Sequence, residues 1–315
     1  MKLSVIIPSY NEEASLPAFW PSLIKGIEEA VSSSYEVILV NDGSTDNTLD
    51  IIRKLAKKNG RVRCLSLSRN FGKEIATTAG MFQAKGEAVL IIDADGQHPP
   101  ELIKEFVKQW QDGYDVVVGV RKSNKREGLI KRYGSKLFYR IFNKTSDMVL
   151  LPGATDFRLI DSSVRNEFQE FTERNRITRG IIDWMGFRRT TIPFHANERI
   201  GGKATYKFSK LLGLALNSFV SLSVAPLYAI SYVGLAITMG AFLIGVFVII
   251  EQLILSDPLH LHITGTAMLV ILTLFLVGII LVAQGLLAIY LSHIHSQTQN
   301  RPLFIIDRKN SIKLD

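Results

Sequence analysis

The sequence has one cysteine, Cys64, so no intrachain disulfide can form and no cysteine-based metal motif exists. Between Arg63 and Leu65 the default for that thiol is burial. A second shortage is one of charge. From Leu211 to Asn300 there is no Lys or Arg, and the only acids are Glu251 and Asp257. All 37 basic residues lie outside that stretch, where they outnumber the acids. Such a surplus suits an anionic membrane or a phosphorylated substrate. Nucleic acid is disfavoured, because the basic residues cluster beside apolar, membrane-type segments. The phosphate cradles of other α/β classes are missing: there is no G-x-G-x-x-G after the first strand and no G-x-x-x-x-G-K-[ST]. The N-terminal apolar run, Leu3 to Pro8, is too short for a signal peptide and lacks a cleavage site.

What is present begins with an alternation. Over residues 3–120, strand-like runs (Leu3–Pro8, Tyr35–Asn41, Arg61–Leu67, Glu87–Asp93, Tyr114–Val120) alternate with helical ones (Ser15–Ala30, Asp46–Lys58, Gly72–Lys85, Pro99–Gln111). That order predicts an α/β domain with a mostly parallel, Rossmann-like sheet covered by helices on both faces. The first two strands end in Ser9-Tyr10-Asn11-Glu12 and Asp42-Gly43-Ser44, which offer carboxylates and carboxamides suited to a base and ribose.

The chain is organised around Val89-Leu90-Ile91-Ile92-Asp93-Ala94-Asp95-Gly96-Gln97-His98-Pro99-Pro100. A buried strand there would carry Asp93 and Asp95 on one side by alternation. Hard oxygen donors at the carboxyl edge of such a sheet suit Mg²⁺ or Mn²⁺. The competing reading is a solvated, acid-rich turn.

Residues 126–144 place Leu129, Ile130, Tyr133, Leu137, Phe138 and Ile141 on one helical stripe, with Lys131, Arg132, Lys136, Arg140 and Lys144 away from it. A basic amphipathic helix lying in a membrane interface is expected. A second interfacial helix is expected over 206–225. Two uncharged runs follow, Leu227–Ile250 and Gly265–Leu291, each long enough to span a hydrocarbon core. They predict a transmembrane hairpin within 226–292, behind a domain of residues 1–205 and ahead of a tail, 293–315. The basic residues put the large domain and both termini on the cytoplasmic side, a bacterial plasma membrane being the expected setting. Pro302 to Asp307 reads as a short strand returning to that domain.

Several stretches together resemble a known family. Val5-Ile6-Ile7-Pro8-Ser9-Tyr10-Asn11-Glu12 is similar to the opening strand of family-2 inverting glycosyltransferases of the GT-A fold, and Asn41-Asp42-Gly43-Ser44 to their second-strand loop. Ser68-Arg69-Asn70-Phe71-Gly72-Lys73-Glu74, the Asp93 segment and Gly153-Ala154-Thr155-Asp156-Phe157-Arg158-Leu159 resemble the polyprenyl-phosphate branch, which includes dolichyl-phosphate mannose synthases and bacterial GtrB-type enzymes. The resemblance covers nearly the whole chain. Three positions depart from it. Asn41 replaces an acid, Gly96 replaces a leucine in a way expected to loosen the turn, and Thr205 stands where a lysine is usual, leaving Lys203 to substitute.

The resemblance implies inverting transfer of a sugar from a nucleotide sugar to a polyprenyl phosphate, with Mg²⁺ or Mn²⁺ as cofactor. UDP-glucose is the first expectation, with GDP-mannose or an amino-sugar donor open. Asp95, Gln97 and Asp93 would hold the metal. Asp156 and Asp95 are the catalytic candidates, Asp156 as base or positioning residue. Pro8, Tyr10, Glu12, Asp42, Asp93 and Lys73 would bind the nucleotide sugar. Arg121, Arg132, Ser135, Arg158, Arg199 and Lys203 would bind the lipid phosphate, and His98 would support the metal site. A homo-oligomer and a flippase partner are compatible. Two rival readings remain. In a processive polysaccharide synthase a Gln-x-x-Arg-Trp motif is expected, and Trp20, Trp110 and Trp184 lack that context. An inactive scaffold of a lipid-linked glycosylation complex would not need Asp93, Asp95, Gln97 and Asp156 intact.

Overall fold

A computed structural model describes residues 2–122, 151, 153–174, 176–197 and 265–314, with isolated positions between 232 and 243. The chain divides into two compact units, Met1–Tyr206 with Asn300–Asp315, and Lys207–Gln299.

The first unit is built on seven strands: β1 (Leu3–Ser9), β2 (Tyr35–Asn41), β3 (Val62–Ser66), β4 (Ala88–Ile91), β5 (Val116–Arg121), β6 (Ala154–Asp161) and β7 (Arg189–Phe194). They form one sheet in the order β3-β2-β1-β4-β6-β5-β7. β6 runs antiparallel to both its neighbours, while the other pairings are parallel. Every residue of β1 and β2 is buried, as befits parallel strands covered on both faces.

Helices α1 (Ser15–Val31), α2 (Thr48–Lys58) and α4 (Ile103–Gln111) pack on one face. Leu16, Phe19, Leu23 and Ile27 of α1 meet Val5 and Ile7 there. The other face is covered by α3 (Lys73–Gln83), α5 (Ser162–Glu170) and α6 (Thr178–Trp184), where Ala76, Ala79, Phe168 and Ile181 meet Ile6 and Ile38. Asp161 caps α5 by accepting from Ser163 N at 2.8 Å, and Trp110 Nε1 donates to its other oxygen at 2.8 Å. Cys64 is buried, as expected.

The mostly parallel α/β sheet agrees with the sequence expectation. Two features differ. β6 inserts antiparallel between β4 and β5, a pairing no local periodicity encodes. β4 stops at Ile91, two residues before Asp93, so Asp93 and Asp95 stand in a loop rather than on one strand face.

The segment after Asn300 packs into the first unit. Cys64 bridges to Ile312 and Leu67 to Ile306, both antiparallel, so the tail covers edge strand β3. Lys313 Nζ donates to the carbonyls of Ala56 and Asn59 at 2.6 and 2.7 Å, satisfying the end of α2. The docking expected of Pro302–Asp307 thus extends to Lys313.

In the second unit, helix α7 (Gly265–Thr298) has 34 residues. Its window Phe275–Ser292 has a mean hydropathy of 2.3. Among the described residues it is the one helix long and apolar enough to cross a membrane. Both amphipathic segments and the connector lie outside the described residues, as does most of the expected first span, of which scattered positions between 232 and 243 are helical.

Candidate active site

The carboxyl ends of β1 and β2 are zipped together. Asp42 N donates to Ser9 O at 2.9 Å, Asn11 N to Ser44 Oγ at 3.1 Å and Glu12 N to Thr48 Oγ1 at 2.8 Å. Pro8 is buried in this seam, Tyr10 stands 43 % exposed beyond it, and the Glu12 carboxylate accepts from Ser15 Oγ. Asp42 reaches across instead of outward. Its two carboxylate oxygens accept from Phe71 N at 2.7 Å and Gly72 N at 2.9 Å. Burial lifts this carboxyl above its ordinary value even against those two bonds. Asp42 therefore moulds the loop that delivers Lys73. Gly43 makes the close approach possible: at φ +65° a side chain would be strained, and a Cβ would fall 2.3 Å from the Arg69 carbonyl carbon.

Past β4 the chain turns tightly. Asp93 N donates to His98 Nδ1 at 3.3 Å, and Gln97 N donates to Asp95 Oδ1 at 3.1 Å. Gly96 sits at φ +74°, so the residue expected to loosen this turn is the type best able to form it. His98 is buried and stacked on Phe157, ring centroids 5.1 Å apart. Burial holds its pKa below the ordinary value, so the neutral ring accepts the Asp93 N–H and fixes the loop. Its expected supporting role has this physical basis.

The centre of the site is a lysine between two acids. Lys73 Nζ lies 2.7 Å from Asp93 Oδ1, 2.8 Å from Asp93 Oδ2 and 2.7 Å from Asp156 Oδ2. The ammonium aligns with Oδ2 of Asp93, leaving its buried Oδ1 within ion-pair distance but without a hydrogen bond. Burial alone would push the Asp156 carboxyl up; Lys73 overrides it and holds the group at about 2. The same two acids raise the pKa of Lys73 despite its desolvation.

A cleft of about 220 Å³ opens beside this trio, lined among others by Asp93, Gln97, His98, Arg121, Asp156 and Arg179. Arg179, which the sequence reading missed, is brought there by Glu74: its carboxylate accepts from Thr178 N at 2.8 Å and fastens the start of α6 to α3. The only local signal was an arginine-rich run, Arg174 to Arg179.

Arg158, expected at a lipid phosphate, is placed otherwise. It is 1 % exposed and lies 3.7 Å from Asp183, which also faces Arg189 at 3.7 Å. In this structure the guanidinium faces Asp183 rather than the surface. Arg132, Ser135, Arg199 and Lys203 lie outside the described residues.

A divalent cation fits the donor set. Two carboxylates, Asp93 from the loop after β4 and Asp156 from β6, converge on one cation position, one oxygen there lacks a hydrogen bond, and Asp95 and Gln97 stand on the same turn. Among the described residues no cluster of three His, Cys, Asp or Glu forms a complete cage. Few protein ligands beside an open cleft suit an ion completed by water and substrate phosphates.

A sequence model of glycosyl transferase family 2 matches residues 4–207. The chain belongs to that family. The family-2 domain thus covers the sheet and every site residue described above. Among relatives, the chain is 34 % identical to the uncharacterized glycosyltransferase YkcC of Bacillus subtilis, over 99 % of this chain and 95 % of that one. It is 35 % identical to the bactoprenol glucosyl transferase of Shigella phage SfII, over 98 % of this chain and 99 % of that one. Mannosyl-3-phosphoglycerate synthase from Rubrobacter xylanophilus shares the fold, with a TM-score of 0.50 at 15 % identity over 70 % of this chain and 73 % of that one.

Proposed function

We propose that this family-2 glycosyltransferase moves a sugar, glucose first among candidates, from a nucleotide sugar to a polyprenyl phosphate at the cytoplasmic face of a membrane. The observation that carries the reading is the convergence of Asp93 and Asp156 on one cation position beside a cleft bearing Arg121 and Arg179. End-to-end similarity to bactoprenol glucosyl transferases supports the acceptor class. The apolar helix α7 supports a membrane setting.

Asp93, with Asp95 and Gln97 on the same turn, would hold Mg²⁺ or Mn²⁺ together with the donor diphosphate. When bound, the ion neutralises the charge that develops on the departing diphosphate. The seam of β1 and β2, with Pro8, Tyr10 and Glu12, receives the nucleoside. An acceptor phosphate oxygen attacks the anomeric carbon from the face opposite the diphosphate. One C–O bond forms, the bond to the diphosphate breaks, and the configuration inverts. No proton has to move, because a phosphate monoester with a second pKa near 6 is largely dianionic at neutral pH. Lys73 holds Asp156 at about 2 in the ligand-free protein, and a divalent cation in the same place would likewise keep it ionised, so its role is to position rather than to take a proton. Arg121 and Arg179 face the cleft as fork-shaped phosphate partners.

The test is to incubate the purified full-length enzyme with undecaprenyl phosphate and a panel of nucleotide sugars, reading products by mass. A glycosylated lipid phosphate from one donor is expected. Donor hydrolysis alone, or sugar chains without lipid phosphate, would overturn the reading.

A further inference from the structure

The position where two carboxylates converge is taken by the chain's own lysine. We infer that the Lys73 ammonium holds the place of the donor's divalent cation in the ligand-free protein and moves from it onto the diphosphate when the nucleotide sugar binds. This rests on the metal-assisted reading above and adds to it an order of events and a specific competitor.

The geometry carries the inference in three steps. Asp93 and Asp156 arrive from the end of β4 and from β6, and each has an oxygen 2.7 Å from the same nitrogen. Two carboxylates this close repel unless a cation stands between them. Lys73 supplies that cation and keeps both aimed at one point before any ligand arrives. Next, two cations cannot share one small space between the same acids. A divalent ion drawing on Asp93 must expel the ammonium or accept its repulsion at close range. Finally, Lys73 is free to leave. Its side chain is 44 % exposed, it stands at the first position of α3, and its four-carbon stem can carry the ammonium into the adjoining cleft. Once a diphosphate lies there, Lys73 regains an anionic partner.

The consequence is coupling. The ion alone must displace Lys73 and give it nothing in return, so it binds weakly. With a nucleoside diphosphate present, the displaced ammonium is satisfied and both ligands bind more tightly.

Mn²⁺ titration of the full-length enzyme in detergent, followed by electron paramagnetic resonance with and without UDP, tests this. Wild type should bind Mn²⁺ weakly alone and far more tightly with UDP. Lys73→Met should bind Mn²⁺ alone roughly tenfold more tightly than wild type, with a reduced gain from UDP. A second measurement needs no variant. Acylation of the Lys73 amine, read by peptide mass, should be slow in chelator and faster in saturating Mn²⁺. Equal or weaker Mn²⁺ affinity in Lys73→Met, or labelling unchanged by Mn²⁺, would overturn the displacement while leaving the metal-assisted reading in place. Should Lys73→Met fail to fold, the labelling decides by itself. Absence of Mn²⁺ binding to wild type even with UDP would remove both.

Discussion

Two ion clusters hang from the same strand, β6, two residues apart, and they obey opposite balances. Around Asp156, attraction wins: Lys73 sits at 2.7 Å, the carboxyl falls to about 2 and the ammonium pKa rises. Around Arg158, burial wins: Asp183 is 3.7 Å away, the guanidinium pKa is lowered and the Asp183 carboxyl is raised, both mainly by desolvation. The first cluster opens on a cleft, and its lysine is nearly half exposed. The second is sealed, with side chains 1 % and 2 % exposed. An open pair at short range stores charge where a ligand can redirect it. A sealed pair at longer range costs desolvation and contributes fixed geometry. Asp156 and Arg158 look alike in an Asp-Phe-Arg motif, yet one borders the cleft and the other is sealed against Asp183.

The sharpest way to break that contrast is to neutralise one acid of the open cluster. Asp93→Asn preserves shape and removes the charge facing the cation position. Sugar transfer should fall on the order of 1000-fold, a loss comparable to removing one strong electrostatic contact in a transition state. The melting temperature should move by only a few degrees, because Lys73 keeps Asp156 as a partner and can reach solvent. A large fall in melting temperature with transfer per folded molecule intact would place Asp93 in the architectural class.

Next in size is the sealed pair. Arg158→Met leaves the buried Asp183 with the partly exposed Arg189 as its remaining ion-pair partner and should cost roughly 3 kcal/mol of stability, the low end for a broken buried pair. In thermal denaturation that is a drop of roughly 10 °C. The double change Arg158→Met with Asp183→Leu should recover most of it, because no buried charge is then left unpaired, and Arg189, one-third exposed, can turn to water. The Michaelis constant for the lipid acceptor should stay unchanged per folded molecule. If instead it rises while the melting temperature holds, Arg158 is the phosphate contact that its motif suggests.

The contrast also marks where the sequence was legible. The order of β1 to β5 with their helices followed from hydrophobic periodicity, because each of those elements buries a face against the sheet. Asp93, Gln97, Arg121 and Asp156, all expected at a site, line one cleft, and Lys73 bonds to its two acids. What escaped depended on pairings between distant segments. The antiparallel entry of β6 decides which of its side chains reach the cleft. The early stop of β4 undid the alternation argument for Asp93 and Asp95. The sealing of Arg158 needs Asp183, 25 residues further along and unremarkable in composition. Arg179 becomes visible only once Glu74 has fastened α6.

A smaller effect is expected from Arg179 itself. It borders both clusters, lining the cleft and lowering the carboxyl of Asp156 after Lys73 does. Arg179→Ala should reduce transfer by roughly 10- to 30-fold, about 2 kcal/mol in the barrier. The loss should appear mainly in the Michaelis constant for the phosphate-bearing acceptor, and Arg179→Lys should restore part of it as a point charge. A loss confined to the donor would move Arg179 to the leaving-group side. Unchanged kinetics would leave Arg121 as the cleft's working cation among the described residues.

The smallest effect separates the clusters by pH. Asp156 has a folded-state pKa of about 2 against an ordinary 3.8. A lowered carboxyl stabilises the fold above its unfolded value and loses that contribution as pH falls through the folded one. The loss should therefore lie between about pH 4 and pH 2, and it amounts to at most about 2 kcal/mol, less for screening because the Lys73 side chain is partly exposed. Asp183 has the opposite sign. Its raised carboxyl costs stability at neutral pH, and that cost is relieved as pH falls towards the ordinary range. Wild type should thus be the more stable above about pH 4, and its acid-denaturation curve should converge on that of Asp156→Asn between about pH 4 and pH 2, where wild type loses what the variant never had. Arg158→Met with Asp183→Leu should differ from wild type in its slope above pH 4, because the Asp183 term is gone. A stability difference between wild type and Asp156→Asn that stays constant from about pH 5 down to about pH 2 would mean that Lys73 does not hold Asp156 in solution, and the open cluster would lose the property that distinguishes it.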